Sequence, residues 1–437
     1  MRRQFQTQQS DKVGCQSQFN SLKVARRSLR GGADAPILSE RSRSPKPATQ
    51  PPPSDLSRSV YCVLGIPIDA INMATVVRRI EAAAANRSAF LISTPNLNFL
   101  VNGWSDPEFR ESLLDSDLCP PDGMPIVWIA RLIGLPIKER VAGADILEWL
   151  QTPGRCVRRL TMFLFGGAEG VAAAAARTLN AEPSGLKCVG TIDPGFASIT
   201  QMSQDHIIEA INSSNADFLA ACLGAKKGQL WLQRNHKQLT IPVRAHLGAA
   251  INFQAGSVKR APPKVRAFGL EWLWRIKEEP HLWSRYWTDG CVLLRLLLTR
   301  VLPLVIATQW YRLRLKHQTR GLLIEMAQNY RSTVISLRGV ATEKHIGKAI
   351  TCFLNALARK QNVMIIDVSE TRFIDARFFG LLLMLRKQLK SQGGNLIFTG
   401  VSRAIETMFR LNEVGFLLSP DLHVIKKGLR NFKTEVV

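Results

Sequence analysis

Two hydrophobic periods alternate along the chain. From Val60 onward, short apolar runs suited to buried strands are followed by stretches with apolar residues three and four apart, the spacing of one helix face. "VYCVLGIPIDAI" predicts a short strand and turn, and "MATVVRRIEAAAAN" a helix of strong helix formers. "AFLIST" predicts a buried strand that ends in the polar loop "TPNLN", and a helix is expected around "DPEFRESLLDSD". The pattern recurs in "LTMFLFG" and "GAEGVAAAAARTL", then in "CVGTIDPGF" and "SQDHIIEAINSSN". "ADFLAACLG" and "VRAHLGAAINFQAG" close the series. Strands alternating with helices predict an α/β fold with a Rossmann-like, mainly parallel sheet, whose ligand loops lie at the carboxyl ends of the strands.

The pattern then changes. Residues 257–320 are basic and carry tryptophans at 272, 274, 283, 287 and 310. The run "CVLLRLLLTRVLPLVIATQWY" is apolar enough to suggest a membrane span, but Arg295, Arg300 and Pro303 are expected to break it into shorter pieces. An interfacial helix, with arginines at phosphate level and tryptophans at the boundary, fits that composition, the alternative being a helix docked on the core. Beyond Gly321 the strand and helix pattern resumes: "STVISLRG", "EKHIGKAITCFLNALARK", "NVMIIDVSE", "ARFFGLLLMLRKQLKSQG", "NLIFTGV" and "SRAIETMFRLNEVG" predict a second, small α/β unit. The expected divisions are therefore a Pro/Ser-rich basic tail at 1–57, a larger α/β domain at 58–256, a basic Trp-rich appendage at 257–320 and the small unit at 321–437. The tail, with "RSRSPKPATQPPPS", has little to bury and no apolar leader, so a disordered segment and no secretory signal are expected there.

Charge narrows the function. The formal net charge is +24. Residues 1–60 hold 11 Lys/Arg against 4 Asp/Glu, and residues 255–320 hold 13 against 4. The surplus thus lies mainly in a tail and a tryptophan-rich segment. With no recognisable nucleic-acid motif beside it, an anionic membrane surface is the expected partner rather than nucleic acid. The eight cysteines form no CxxC pair and no zinc spacing, which points to reduced core thiols. "DSD" at 115–117 has the look of a metal-binding DxD, but a polar helix end explains it equally, and no metal or other cofactor is expected.

One acid stands in an unusual setting. In "LCPPDGMPIVW", Asp122 is flanked by Pro120, Pro121 and Pro125, with Gly123 allowing a tight turn or close approach of a substrate. A carboxylate held stiffly at a strand's carboxyl end suits a general base, the alternative being a cap for the helix predicted from "MPIVWIARLIG".

Seven segments in order, "STPNLNF", "CPPDGMP", "FGGAEG", "VGTIDPGF", "LGAKKGQLWLQRN", "FQAGSVKRAP" and "LEWLWRIKEEP", together resemble the WecG/TagA/CpsF glycosyltransferases over roughly residues 60–290. That resemblance implies inverting transfer of an N-acetylmannosamine-type sugar from a UDP donor to a polyprenyl-diphosphate-linked sugar, at the cytosolic face of the cell membrane and without an obligatory metal. The product would be a lipid-linked disaccharide for exopolysaccharide or related surface glycans. By the family's motifs Asp122 and Thr94 would be catalytic, with Asn96 and Asn98 beside them in the "TPNLN" loop. Gln229 best matches the glutamine of the family's "GxPKQE" loop, read here as a loop at 223–235, although this chain has Lys in place of Pro and lacks the Glu. Arg260, Arg275 and Arg285 match the basic residues that close on the donor diphosphate, and Leu282 stands where one more arginine is expected.

The segment "NVMIIDVSETRFIDARFFGLLLMLRKQLKSQGGNLIFTGVS" resembles a STAS domain over roughly 325–430. Regulatory members carry a phosphorylatable serine just after the "FID" segment. Here Ala376 and Arg377 follow Asp375, so no phosphate switch is expected there, Asp375 is expected to cap the helix, and the unit is expected to bind a protein or nucleotide partner. The competing reading is a regulatory STAS-containing binding protein whose transferase domain is inactive.

Overall fold

The structure, a computed structural model, describes residues 54–418 apart from residues 157, 249, 316–320 and 329–331. The expected basic tail lies outside the described residues as far as residue 53. Its last residues differ from expectation: Asp55–Ser57 form a 3₁₀ turn with Leu56 fully buried.

The chain opens with an antiparallel hairpin, β1 (Val60–Val63) and β2 (Ile66–Asp69), turning through Leu64 and Gly65 at φ of 47° and 87°. The α/β alternation follows. It runs α1 (Met73–Ala85), β3 (Phe90–Ile92), α2 (Leu97–Ser105), α3 (Pro107–Leu114), α4 (Met124–Ile133), α5 (Gly143–Gln151), β4 (Thr161–Gly166), α6 (Val171–Ala181) and β5 (Lys187–Ile192). It continues with α7 (Asp205–Ser213), β6 (Phe218–Cys222), α8 (Ala225–Asn235), β7 (Val243–His246) and α9 (Ala250–Gln254). Among the described residues, β3, β7, β6, β4 and β5 pair in that order, all parallel. Strands β3, β4, β6 and β7 are buried on both faces, as their near-continuous apolar sequences require, whereas the edge strand β5 alternates and leaves Lys187, Val189 and Thr191 exposed. The segment read as a loop at 223–235 is helical from Ala225, and its consecutive buried residues at 228–232 show that protein encloses this part of the helix on all sides.

Short helices α10 (Pro263–Ala267) and α11 (Glu271–Glu278) lead to α12 (Trp283–Leu296), a π-turn (Leu297–Val301) and α13 (Leu302–Leu315). The expected break at Arg295, Arg300 and Pro303 does not occur, and the helix continues. Proline lacks an N–H and its ring crowds the carbonyl four residues back. The widened π-turn just before Pro303 relieves that conflict, with Leu302 N bonding the carbonyl of Leu297. Pro280–Tyr311 is long and apolar enough to cross a membrane by length and composition. Yet Leu296, Val301 and Leu304 bury one face against a cluster that includes Ile126, Ile129, Ile133 and Leu411.

The last part holds β8 (Leu323–Gln328), β9 (Ser332–Ala341), α14 (Ile346–Leu357), β10 (Val363–Asp367), β11 (Thr371–Ile374), α15 (Ala376–Ser391), β12 (Asn395–Thr399) and α16 (Arg403–Leu411). The strands β11, β9, β10 and β12 are parallel, and β8 pairs antiparallel with β9. Asp375 caps α15, accepting from Phe378 N at 2.8 Å. The apolar run from Phe378 to Leu385 surrounds that helix, so it needs protein on every side. The described residues from 321 to 418 cover only part of it, and the β1–β2 hairpin covers another part. A Cβ on Gly380 would lie 2.1 Å from Val60 O, so glycine is what lets the helix and β1 approach so closely. Leu56, Val60, Cys62 and Leu114 belong to the same buried cluster as Ile335, Ile366 and Phe379. The start of the described chain and the end of α3 thus belong to the core of the second unit, while the β3–β7 sheet packs within clusters of its own.

Candidate active site

Loops at the carboxyl ends of β3 to β7 meet α4, α11 and α12 around a cavity of about 1720 Å³. Thr94, Asn96, Asn98, Asp122, Arg275 and Arg285 all line it. Each is held by local chemistry. Asn96 caps α2 by accepting from Phe99 N at 3.2 Å, so the "TPNLN" loop becomes a helix start at its third residue. Thr94 is almost fully buried and its hydroxyl donates to His246 O at 3.4 Å. Asn98 accepts from the Asn102 amide at 3.1 Å.

Asp122 does not cap α4. Gly123 is the N-cap, at φ 95°, with no side-chain cap hydrogen bond. The loop is fixed by its backbone instead: Asp122 N donates to Pro95 O at 2.9 Å, and Val141 N to Pro121 O at 2.8 Å. One carboxylate oxygen accepts from Gly143 N at 3.4 Å. Burial pushes the Asp122 carboxyl up to about 7, opposed by the nearby Arg140 charge and assisted by Asp145. A carboxyl so placed is half protonated near neutrality and can exchange a proton with a group in the cavity.

Two expected contacts lie elsewhere. Gln229 is fully buried and donates to Ser112 O at 3.2 Å, inside the packing of α8 on α3. The position before it cannot take over, because a Cβ on Gly228 would lie 2.4 Å from the His246 ring. Lys227 reaches the cavity from that helix and donates to Ala197 O at 3.0 Å. Arg260 does not line the cavity. It pairs with Asp145 and Glu148 beside Arg266, and Arg140 bridges Asp145 (2.8 Å) and Glu271 (2.5 Å). This network ties α10 and α11 to α5. Arg275 pairs with Glu279 and lies over the Phe253 ring, whereas Arg285 is half exposed and pairs loosely with Asp289, at 3.8 Å.

Arg140 and His246 are cavity residues that the sequence pattern does not single out. Nothing in local spacing marks Arg140, which arrives by the return of the chain after α4. His246 is buried and bonded to Leu223 O at 2.9 Å, and burial lowers its basicity, so it serves as a neutral support. The aspartates of "DSD" are engaged: Asp117 by Lys387 at 2.9 Å, Asp115 by Gln233 at 2.9 Å and Lys390 at 3.3 Å. The cavity mouth is apolar, with Trp128, Trp272, Trp283, Trp287 and Leu294 exposed along it.

Residues 61–304 match the sequence model of the glycosyl transferase WecG/TagA/CpsF family, and residues 324–419 match that of the Mlab, STAS domain. Relatives include proteins from Bacillus spizizenii (26% identical, covering 46% of this chain and 75% of the relative) and Bacillus subtilis (27%, 45% and 74%). Both bear the name N-acetylglucosaminyldiphosphoundecaprenol N-acetyl-beta-D-mannosaminyltransferase. Among solved structures, the anti-sigma factor antagonist SpoIIAA in its unphosphorylated form is 16% identical, with 26% of this chain and 99% of that chain covered and a TM-score of 0.20.

Proposed function

Because the chain belongs to the WecG/TagA/CpsF glycosyltransferase family, we propose that it moves an N-acetylmannosamine-type sugar from a UDP donor to a polyprenyl-diphosphate-linked sugar, with inversion. The supporting observation is the Asp122 carboxyl, raised to about 7 on a rigid loop in a cavity with an apolar mouth. A sugar hydroxyl is a poor nucleophile at neutral pH, so inverting attack needs a base beside the acceptor. In this reading Asp122 takes the acceptor's hydroxyl proton as the oxygen attacks the anomeric carbon and UDP departs. Thr94, Asn96 and Asn98 hold the sugars. Arg275 and Arg285 stabilise the departing diphosphate through charge-assisted hydrogen bonds. The tryptophan-lined mouth admits the prenyl chain from the membrane. Residues 58–256 then carry catalysis, 257–320 form the wall that faces an anionic bilayer, and 321–437 form the STAS unit. The enzyme would work as a peripheral protein on the inner face of the cell membrane, supplying lipid-linked disaccharide for surface polysaccharide. A protein partner of the STAS unit would have to meet a face other than the one α15 has already buried.

A screen of UDP-sugars with a prenyl-diphosphate-GlcNAc acceptor tests this. UDP-ManNAc should give a lipid-linked disaccharide with a β linkage by NMR. Binding of UDP without transfer from any donor would favour the inactive, regulatory reading instead.

The arginines should separate by role. Arg285→Ala removes a half-exposed guanidinium that faces the cavity, and kcat/KM should fall roughly 10- to 100-fold, the worth of one charged hydrogen bond. Tm should barely move. Arg260→Ala should do the reverse, lowering Tm by weakening the ion-pair network in which Arg140 and Arg266 would still hold Asp145 and Glu148, while affecting transfer less. Equal kinetic losses in the two variants would mean the diphosphate assignment is wrong.

A further inference from the structure

The STAS-like unit approaches the Asp122 loop through a chain of short polar contacts. Arg377 is buried at the start of α15, in the segment where regulatory STAS domains carry their serine. Its guanidinium donates to Val60 O at 2.9 Å and Arg58 O at 3.0 Å, gripping both ends of the strand entry. The Arg58 side chain turns the other way. It donates to Asp69 at 3.2 and 2.7 Å and to Ser116 O at 2.9 Å, and all of these groups are buried. Asp69 in turn accepts from Cys119 N at 2.7 Å, while its own N–H donates to Cys119 O at 2.9 Å. Farther along α15, Lys387 donates to Ser116 O at 3.1 Å and to Asp117 at 2.9 Å. These contacts converge on residues 116–119, three residues before Asp122.

We propose that α15 is a built-in brace for the transferase, with Arg377, Lys387, Arg58 and Asp69 acting as positioning residues that fix the strand end leading into the Asp122 loop. The proposal rests on the transferase reading for its kinetic part only. Burial makes the brace rigid. A guanidinium taken out of water must keep its partners, so Arg58 and Asp69 hold one geometry rather than several. Pro120 and Pro121 then pass that geometry on, since two successive prolines leave the backbone little freedom between Cys119 and Asp122. A carboxylate misplaced by about 1 Å can cost roughly 10²-fold in rate, so a brace at this place sets turnover without touching substrate. The fused STAS fold thus serves as a fixed part of the enzyme, and the helix face from which a phosphate switch would act is spent on the transferase itself.

Hydrogen exchange on the full-length protein, read by mass spectrometry, tests the coupling without any substrate. Arg377→Ala should speed exchange at least tenfold in peptides that contain Cys119 and Asp122, with the far sheet edge at β5 unchanged. Lys387→Gln is a milder variant, at a partly exposed position, and should do the same to a smaller degree; it guards against an Arg377→Ala protein that does not fold. Arg377→Lys should restore part of the protection. In kinetics, both disruptive variants should lower kcat roughly 10- to 100-fold, with KM for the UDP-sugar within about twofold and the acidic limb of the kcat profile displaced. Unchanged exchange at 115–122, or a uniform rise across the chain that merely follows a lower Tm, would overturn the brace. Localised exchange with no sugar transfer by the wild type would sink the transferase reading and leave the brace standing.

Discussion

Asp122→Asn is expected to lower turnover by about 10²–10⁴-fold, the usual worth of general-base catalysis. Asparagine keeps the shape, and its side-chain oxygen can still accept from Gly143 N, but it cannot take a proton. UDP binding should therefore change little. The pH dependence is specific. The base acts when ionised and its carboxyl sits at about 7, so wild-type kcat should fall about tenfold per unit below that value and level off above it. The small residual rate of the variant should show no such limb. Stability should move the other way. The folded protein disfavours the ionised form, so Asp122 costs stability progressively as pH rises from the ordinary carboxylate range through about 7, a cost then carried at all higher pH. Asparagine carries none of it, and the variant's Tm at pH 8 should equal or exceed that of the wild type. Near-normal turnover would show that the stiff proline-flanked loop is only a turn. A lower Tm with lost activity would point to a structural role for the carboxylate.

Parts of this arrangement are legible in the sequence because they depend on local chemistry. Three prolines and a glycine around Asp122 announce a rigid loop whatever surrounds it, and Asn96, Asn98 and Thr94 sit just after a buried-type strand, where such folds hold ligands. Other parts depend on distant partners. The stretch after Gly224 begins Ala-Lys-Lys-Gly and has the look of a loop, and only contact with α3 shows that its Gln229 side chain is packing. Arg260 reads as a phosphate ligand because its acids, Asp145 and Glu148, lie more than a hundred residues earlier. Pro303 signals a break, and the π-turn that absorbs it has no sequence signature. The run from Phe378 to Leu385 does carry a clue, since a helix apolar on all sides must be enclosed. What encloses it, the distant β1–β2 hairpin near the start of the described chain, is a tertiary fact. Strand β8 escapes the pattern because it is largely exposed and its sequence LIEMAQ lacks strict alternation, and β11 because its four residues, TRFI, are too few to stand out.

Replacing Leu298 and Ile306 together by glutamate is expected to abolish attachment to anionic vesicles. An α-helix advances about 100° per residue, and on an uninterrupted helix the exposed residues Leu302, Ile306 and Trp310 would drift around from Trp283, Trp287, Leu294 and Leu298. A π-turn takes up about one extra residue and rotates the second half of the helix back by nearly that step. Its place at Leu297–Val301 therefore keeps both halves of the stripe on one side, along about 40 Å of helix. The opposite side, through Leu296, Val301 and Leu304, is packed on protein. A spanning helix would need lipid or other membrane-embedded protein around it at mid-depth, so a helix lying in the interface is the arrangement that suits both faces. Each large apolar side chain withdrawn from lipid is worth about 1.5–3 kcal/mol, or roughly 10- to 100-fold in partitioning, and glutamate adds repulsion from anionic headgroups. Because both side chains are more than half exposed, the fold should lose little, about 0.5 kcal/mol at most. Surface substitutions are also a cleaner test than a chain cut before the helix, which would lose α15 and strip the β1–β2 hairpin of its cover. In flotation the wild type should rise with the vesicles and the double variant stay behind. Salt should weaken wild-type binding in part only, since screening within about 8 Å removes the arginine contribution and leaves the apolar one. Equal recovery of the two proteins at every salt concentration would mean that this stripe does not meet the membrane.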